Sequence, residues 1–342
     1  MYKKLLGYTI ILLLICTCGG CGCGKKTSEN SSNGNNVTQV ADEKVPTAEA
    51  TPFVDENVIG EVVSEKDVIA NEPALPDILE PKASGTATEE NDKAVIDYSN
   101  IMDGYVMVKY KVATDKKLKA QVKGPTTTYT YTIQPEEWET FPMSDGNGAY
   151  KITVFENVEG KQYATVASVS TTVELNDEFA PFLRPNQYVD YGVAEETMKL
   201  GAKITQGKET ELEKVQAVYE YVVNNISYDT ELAANVKSGY LPVLDKVLEA
   251  KKGICFDYAA LMTGMLRSQS VPCKLIVGYA GDVYHAWISV YTEKDGWIDS
   301  AIYFDGTTWK RMDPTFASSS NMSDAIMKYI GDGSNYTEKY IY

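Results

Sequence analysis

The chain has 342 residues, 44% hydrophobic and 23% charged, with 32 basic against 48 acidic side chains and a formal net charge of −16. The apolar share excludes a wholly disordered chain. The acidity argues against nucleic acid or anionic lipid as charge-recruited partners, since both need clustered Lys and Arg. With a single histidine, His285, no multi-histidine metal site can be assembled.

The first feature in chain order is Lys3 and Lys4 followed by an apolar run over 5–15. As a helix that run would reach about 16 Å, roughly half a bilayer's hydrocarbon core. Its length is that of a signal h-region rather than of a membrane span. Thr17, Gly19 and Gly20 follow, interleaved with Cys16, Cys18, Cys21 and Cys23. This segment, 1–24, resembles a bacterial lipoprotein signal. The resemblance implies lipidation of Cys21, behind the small residues Gly19 and Gly20, with Cys18 and Cys23 as rivals. It also implies an exported protein, tethered by that lipid to the outer face of the bacterial cell membrane. The competing reading, a cysteine-rich metal site, finds nothing structured flanking the cysteines.

Residues 25–94 are rich in Asn, Ser, Thr, Glu, Pro and Ala, with one aromatic, Phe53. Between Thr27 and Lys93, fifteen acidic residues face four lysines, so most of the net charge sits here. Such a stretch cannot bury enough apolar area to offset its backbone entropy, and it reads as a disordered acidic linker.

Apart from Tyr2 and Tyr8, all 24 tyrosines lie from Tyr98 onward. Over 95–176 the pattern is alternation, with strands expected at 105–112, 117–122, 126–133, 150–155 and 163–173. Asp145-Gly146 and Asn147-Gly148 are turn signals. These short strands predict an antiparallel β-sandwich domain acting as a spacer or binding module. Trp138 reads as a core or edge aromatic rather than a ligand contact.

After Asn176 the period becomes helical. A helix is expected at 193–202. Thr210 and Glu213 form a capping-box pattern ahead of Leu212, Val215, Val218, Tyr219, Val222 and Ile226. A further helix spans 243–250 and ends at Lys252-Gly253. Cys255 then opens a buried helix containing Ala259, Met262 and Leu266. Unpaired N–H groups and the positive dipole end at that position favour a thiolate and can hold an oxyanion. Strands follow at 274–279, at 285–291 beginning with His285, and at 308–313 ending with Asp313. Cysteine, imidazole and carboxylate in this order can assemble a nucleophile, base and orienting acid in space.

The strings KGICFDYAALMTGMLRSQSVPCKLIVGYA, HAW and MDPTF, with AVYEYVVNNISYD upstream, resemble the transglutaminase-like superfamily. The resemblance covers about 178–320. It implies an α+β papain-like transglutaminase core over 177–342, preceded by the sandwich and tether. It also implies a Cys-His-Asp triad of Cys255, His285 and Asp313. Asp299, in the extra segment between His285 and Asp313, is a rival orienter.

The function so implied is acyl transfer from protein or peptide amides, with water or an amine as acceptor and no metal or organic cofactor. Specificity would lie in the cleft and in the loops at 237–240 and 281–284. A Cys255–Cys273 disulfide is the structural alternative to a nucleophile. A non-catalytic surface lipoprotein, binding through the sandwich and a degenerate module, is the functional alternative. Trp287, Trp297 and Trp309 could line a cleft, although core packing is favoured for at least two. Asp257 and Tyr258 receive no role.

Overall fold

The computed structural model describes residues 37–42, 44–46, 73–299, 302–304, 309–311 and 336–342. Among the described residues nine strands come first: β1 (Val37–Gln39), β2 (Thr88–Glu90), β3 (Ala94–Asp97), β4 (Tyr105–Tyr110), β5 (Leu118–Lys123), β6 (Thr128–Ile133), β7 (Trp138–Pro142), β8 (Gly148–Glu159) and β9 (Gln162–Val173). They form two antiparallel sheets, ordered β2-β3-β4-β7 and β1-β9-β8-β5-β6. Alternation builds them as expected: in β6, Tyr129, Tyr131 and Ile133 are buried while the threonines between them are not. Gly160, at a φ of +53°, turns β8 into β9. Trp138 is a partly exposed aromatic at the start of β7.

The expectation of a structureless linker over 25–94 is corrected at its described stretches. β1 adds to the edge of β9, and β2 pairs with β3. Both strands expose all their side chains. Strand pairing uses main-chain groups, so a segment without an apolar face can still be placed at a sheet edge.

Five α-helices of the described residues follow: α1 (Glu195–Ile204), α2 (Glu211–Asn225), α3 (Thr230–Asn235), α4 (Leu244–Ala250) and α5 (Cys255–Ser268). The capping box forms as read. Thr210 Oγ1 accepts from Glu213 N–H at 3.2 Å, and Glu213 Oε2 accepts from Thr210 N–H at 3.0 Å. Every residue of α5 is buried, because α1, α2, α4, β12 and β13 all pack around it.

Within this part, β10 (Ser227–Tyr228) and β11 (Lys252–Gly253) form a short parallel pair. The remaining strands are β12 (Cys273–Ala280), β13 (Val283–Thr292), β14 (Gly296–Asp299), β15 (Ile302–Phe304), β16 (Trp309–Arg311) and β17 (Tyr336–Ile341). The four-stranded sheet runs β14-β13-β12-β17, all antiparallel, and β15 pairs with β16. One hydrophobic core runs from Ile96 and Val154 of the first two sheets through Tyr188 to Leu261 of α5 and Ile288 of β13. The result is a mixed α/β fold with several antiparallel sheets.

Candidate active site

Three features fix the start of α5. The β10–β11 pair holds the approach, with Ser227 N–H donating to Lys251 O and Asp229 N–H to Gly253 O, each at 2.9 Å. Lys251, at a φ of +52°, makes the left-handed turn out of α4. Asp257 then accepts from the N-cap Ile254 N–H at 2.8 Å and from Tyr240 Oη–H at 2.7 Å. A methyl group on Gly253 would come within 2.6 Å of Asp257 Cβ, so only glycine admits that carboxylate.

Asp257 is fully buried. Burial raises its carboxyl to about 6 from the ordinary 3.8, partly offset by the hydrogen bonds from Ile254 and Tyr240. Sequence reasoning passed over it. The available signal was an acid at the third position of a helix whose N-cap, Ile254, has no side-chain acceptor.

Cys255 is therefore the first residue of α5, and its side chain is buried. Its Sγ–H donates to the carbonyl oxygen of Pro46 at 3.3 Å. His285 lies buried in β13, one of the strands against which α5 packs. Its ring lies near-parallel to that of Trp287, centroids 6.1 Å apart, and 6.4 Å from that of Tyr336. The residue opposite His285 across the sheet is Gly278. There an added Cβ would lie 2.1 Å from Thr337 O and 2.8 Å from the Trp287 ring. Glycine is what lets β12, β17 and the indole meet beside the imidazole.

Asp313 lies outside the described residues, as does Cys21 with the segment 1–24. The rival orienter Asp299 is placed. It pairs with Ser289, whose Oγ–H donates to Asp299 Oδ1 at 2.8 Å. That position is four residues along β13 from His285, about 13 Å at the rise of a strand. It is too far to orient the imidazole.

Cys255 and Cys273 are both free thiols, so no disulfide joins them. Cys273 is buried in β12 with its Sγ–H directed at Thr263 Oγ1, 3.5 Å away. Burial pushes its thiol up to about 11, which leaves it an inert core group. Of the tryptophans, Trp287 is core, and Trp297 carries the Lys274 ammonium 3.7 Å from its ring centroid. Among the described residues, no three His, Cys, Asp or Glu side chains gather as metal ligands.

Arg267, near the end of α5, was also missed. It is buried and donates to Cys273 O at 2.9 Å, Arg184 O at 2.8 Å and Tyr342 O at 2.7 Å. Burial lowers its pKa to about 10, where it still carries its charge at neutral pH. The guanidinium ties α5 to the sheet.

Residues 198–314 match the family model described as transglutaminase-like superfamily, and this part of the chain is a transglutaminase-like domain. Uncharacterized protein YebA of Bacillus subtilis (strain 168) is 27% identical over 145 residues, 37% of this chain and 20% of that protein. Kyphoscoliosis peptidase of Mus musculus is 28% identical over 128 residues, 32% of this chain and 19% of that protein. The chain thus spans about a fifth of the length of these curated relatives. Among solved structures, a candidate cysteine protease from Cytophaga hutchinsonii aligns with a TM-score of 0.36 and 17% identity, covering 75% of this chain and 82% of that one.

Proposed function

We propose that the chain is a thiol acyl-transfer enzyme acting on protein or peptide amide bonds, held outside the bacterial cell membrane by a lipid on Cys21. The observation that carries the chemistry is Cys255 as the first residue of a helix packed on the strand of His285. The transglutaminase-like domain supports a general thiol acyl-transfer or peptidase reading. The peptidase name of the mouse relative is in keeping with it.

In this reading His285 takes the proton of the Cys255 thiol. The sulfur attacks the amide carbonyl carbon, and first-turn N–H groups of α5 stabilise the oxyanion, each donor contributing about 3–4 kcal/mol. The C–N bond breaks as His285 passes the proton to the leaving amine or ammonia, which leaves a thioester on Cys255. Asp313 holds the imidazole in the required tautomer and supports the imidazolium. Water then releases an acid, or a lysine amine forms an isopeptide bond. The two preceding sheets serve as a spacer or a partner-binding surface.

The test is Cys255→Ala assayed on casein, following both release of acid-soluble peptide and incorporation of a dansylated primary amine. Loss of both signals is expected. Full retention of either signal in the variant would refute the mechanism, and the signal shown by the wild type identifies the acceptor.

A further inference from the structure

The space beside Cys255 Sγ is occupied by the chain itself, through Pro46 O. Residues 37–42 and 44–46 run from a sheet edge to the nucleophile and are anchored at each stage. Val37, Thr38 and Gln39 pair with Ala164, Tyr163 and Gln162 of β9. Val40 packs into a small apolar cluster of its own with Phe155 and Tyr163. Asp42 meets the ammonium of Lys119 at 3.2 Å, and that lysine is only 2% exposed. The Lys44 ammonium lies 5.0 Å from the ring centroid of Tyr284, the neighbour of His285. Val45 joins the main core, and with Pro46 it lines one cleft shared with Tyr240, Phe256 and Val277. Pro46 O ends the path at Cys255 Sγ.

Two features separate this path from incidental packing. First, Lys119 is a buried cation on β5 whose carboxylate comes from the segment, and an unpaired buried charge is costly. The body of the protein is built to receive Asp42. Second, both loops on which specificity should depend, 237–240 and 281–284, meet the segment, through Tyr240 and Tyr284. A polypeptide carbonyl thus occupies the space beside the sulfur that any acyl donor must enter.

Resting on the acyl-transfer reading above, we propose that residues 37–42 and 44–46 form an intramolecular substrate mimic that covers Cys255. The substrate that displaces them is an extended polypeptide, bound by strand addition to β9 and by an apolar side chain in the place of Val45. The segment ending at Pro46 would then act as a gate, since displacing the mimic and opening the active site are one event.

The experiment is iodoacetamide labelling of the full chain without denaturant, with label at each cysteine quantified by peptide mapping. Cys273 serves as an internal reporter of unfolding. Val40→Asp places a carboxylate in the apolar cluster and leaves the cleft residues untouched, whereas Val40→Ile preserves the anchor. Val40→Asp should raise Cys255 labelling at least about tenfold, equivalent to 1.4 kcal/mol of weakened docking. Cys273 should stay unlabelled, and Val40→Ile should match the wild type. A synthetic peptide of residues 37–46, added in excess to Val40→Asp, should slow Cys255 labelling again.

Equal Cys255 labelling in wild type and Val40→Asp would overturn the gate, as would a rise accompanied by equal labelling of Cys273. Adding His285→Ala to Val40→Asp separates the two readings. If labelling remains fast and independent of His285, the gate stands and the acyl-transfer reading fails. If labelling depends on His285 but not on residue 40, the reverse holds.

Discussion

Cys255 and Cys273 are both fully buried thiols, the first residues of α5 and of β12. Cys273 sits within a strand, hydrogen-bonded to a neighbouring hydroxyl and held up at about 11 by desolvation. Cys255 opens a helix and is covered by a segment from the far end of the chain, whose carbonyl accepts its S–H. Burial alone does not distinguish them. The difference is what buries each one: permanent core at Cys273, and a separable strap at Cys255. A reactive group can be fully covered in the folded chain and still belong to a cleft.

The largest expected effect breaks this comparison most directly. Cys255→Ala should lower turnover by about 10⁴-fold or more. Cys273→Ala should leave turnover near wild type and cost only a cavity penalty of about 1–2 kcal/mol in urea unfolding. A catalytic loss confined to Cys273→Ala would invert the assignment.

Next comes Arg267, which ties the helix of one thiol to the strand of the other. Arg267→Met keeps much of the apolar stem but removes the guanidinium donors from the carbonyls of Cys273, Arg184 and Tyr342, the last of which keeps Leu275 N–H at 2.9 Å. A loss of about 3–5 kcal/mol in urea unfolding is expected. A loss below 1 kcal/mol would show that water or a small shift satisfies those carbonyls.

Asp257 gives a smaller effect with a defined pH dependence. Its carboxyl is raised to about 6 in the folded protein, so the folded state holds this proton more tightly than the unfolded chain does. Its contribution to stability is therefore greatest below about pH 4. It is lost as pH rises from about 4 through 6, by about 3 kcal/mol at most. Asp257→Asn should remove that part of the stability profile, read as the difference between the two proteins across pH 4–7. An unchanged difference across that window would mean that the carboxyl is not raised.

Much of the second half was legible because its signals are local. The Thr210–Glu213 box, the helical spacing behind it, and the Gly253 break ahead of Cys255 all correspond to elements in the structure. The β8–β9 hairpin was legible from alternation at 150–155 and 163–173, although β8 begins at Gly148 and continues to Glu159, before the turn at Gly160. What escaped was defined by distant partners. β1 and β2 have no apolar face and are held by main-chain pairing, so no periodicity marks them. Strand β17 pairs with β12 across more than fifty residues. Asp257 was visible as an acid two residues from Cys255. Its role depends on Tyr240 and on the absence of a Cβ at position 253, which are facts of packing rather than of pattern. The segment ending at Pro46 lies in sequence that reads as linker, and its meaning comes only from the sulfur it faces.

The central claim is that Cys255 is a nucleophile served by His285. Its most direct test is the rate of iodoacetamide labelling at Cys255, resolved by peptide mapping, across pH 5–9 in wild type and His285→Ala. Removing His285 is expected to slow Cys255 labelling near pH 7 by about tenfold or more and to leave Cys273 unchanged. Superimposable Cys255 profiles in the two proteins would contradict it.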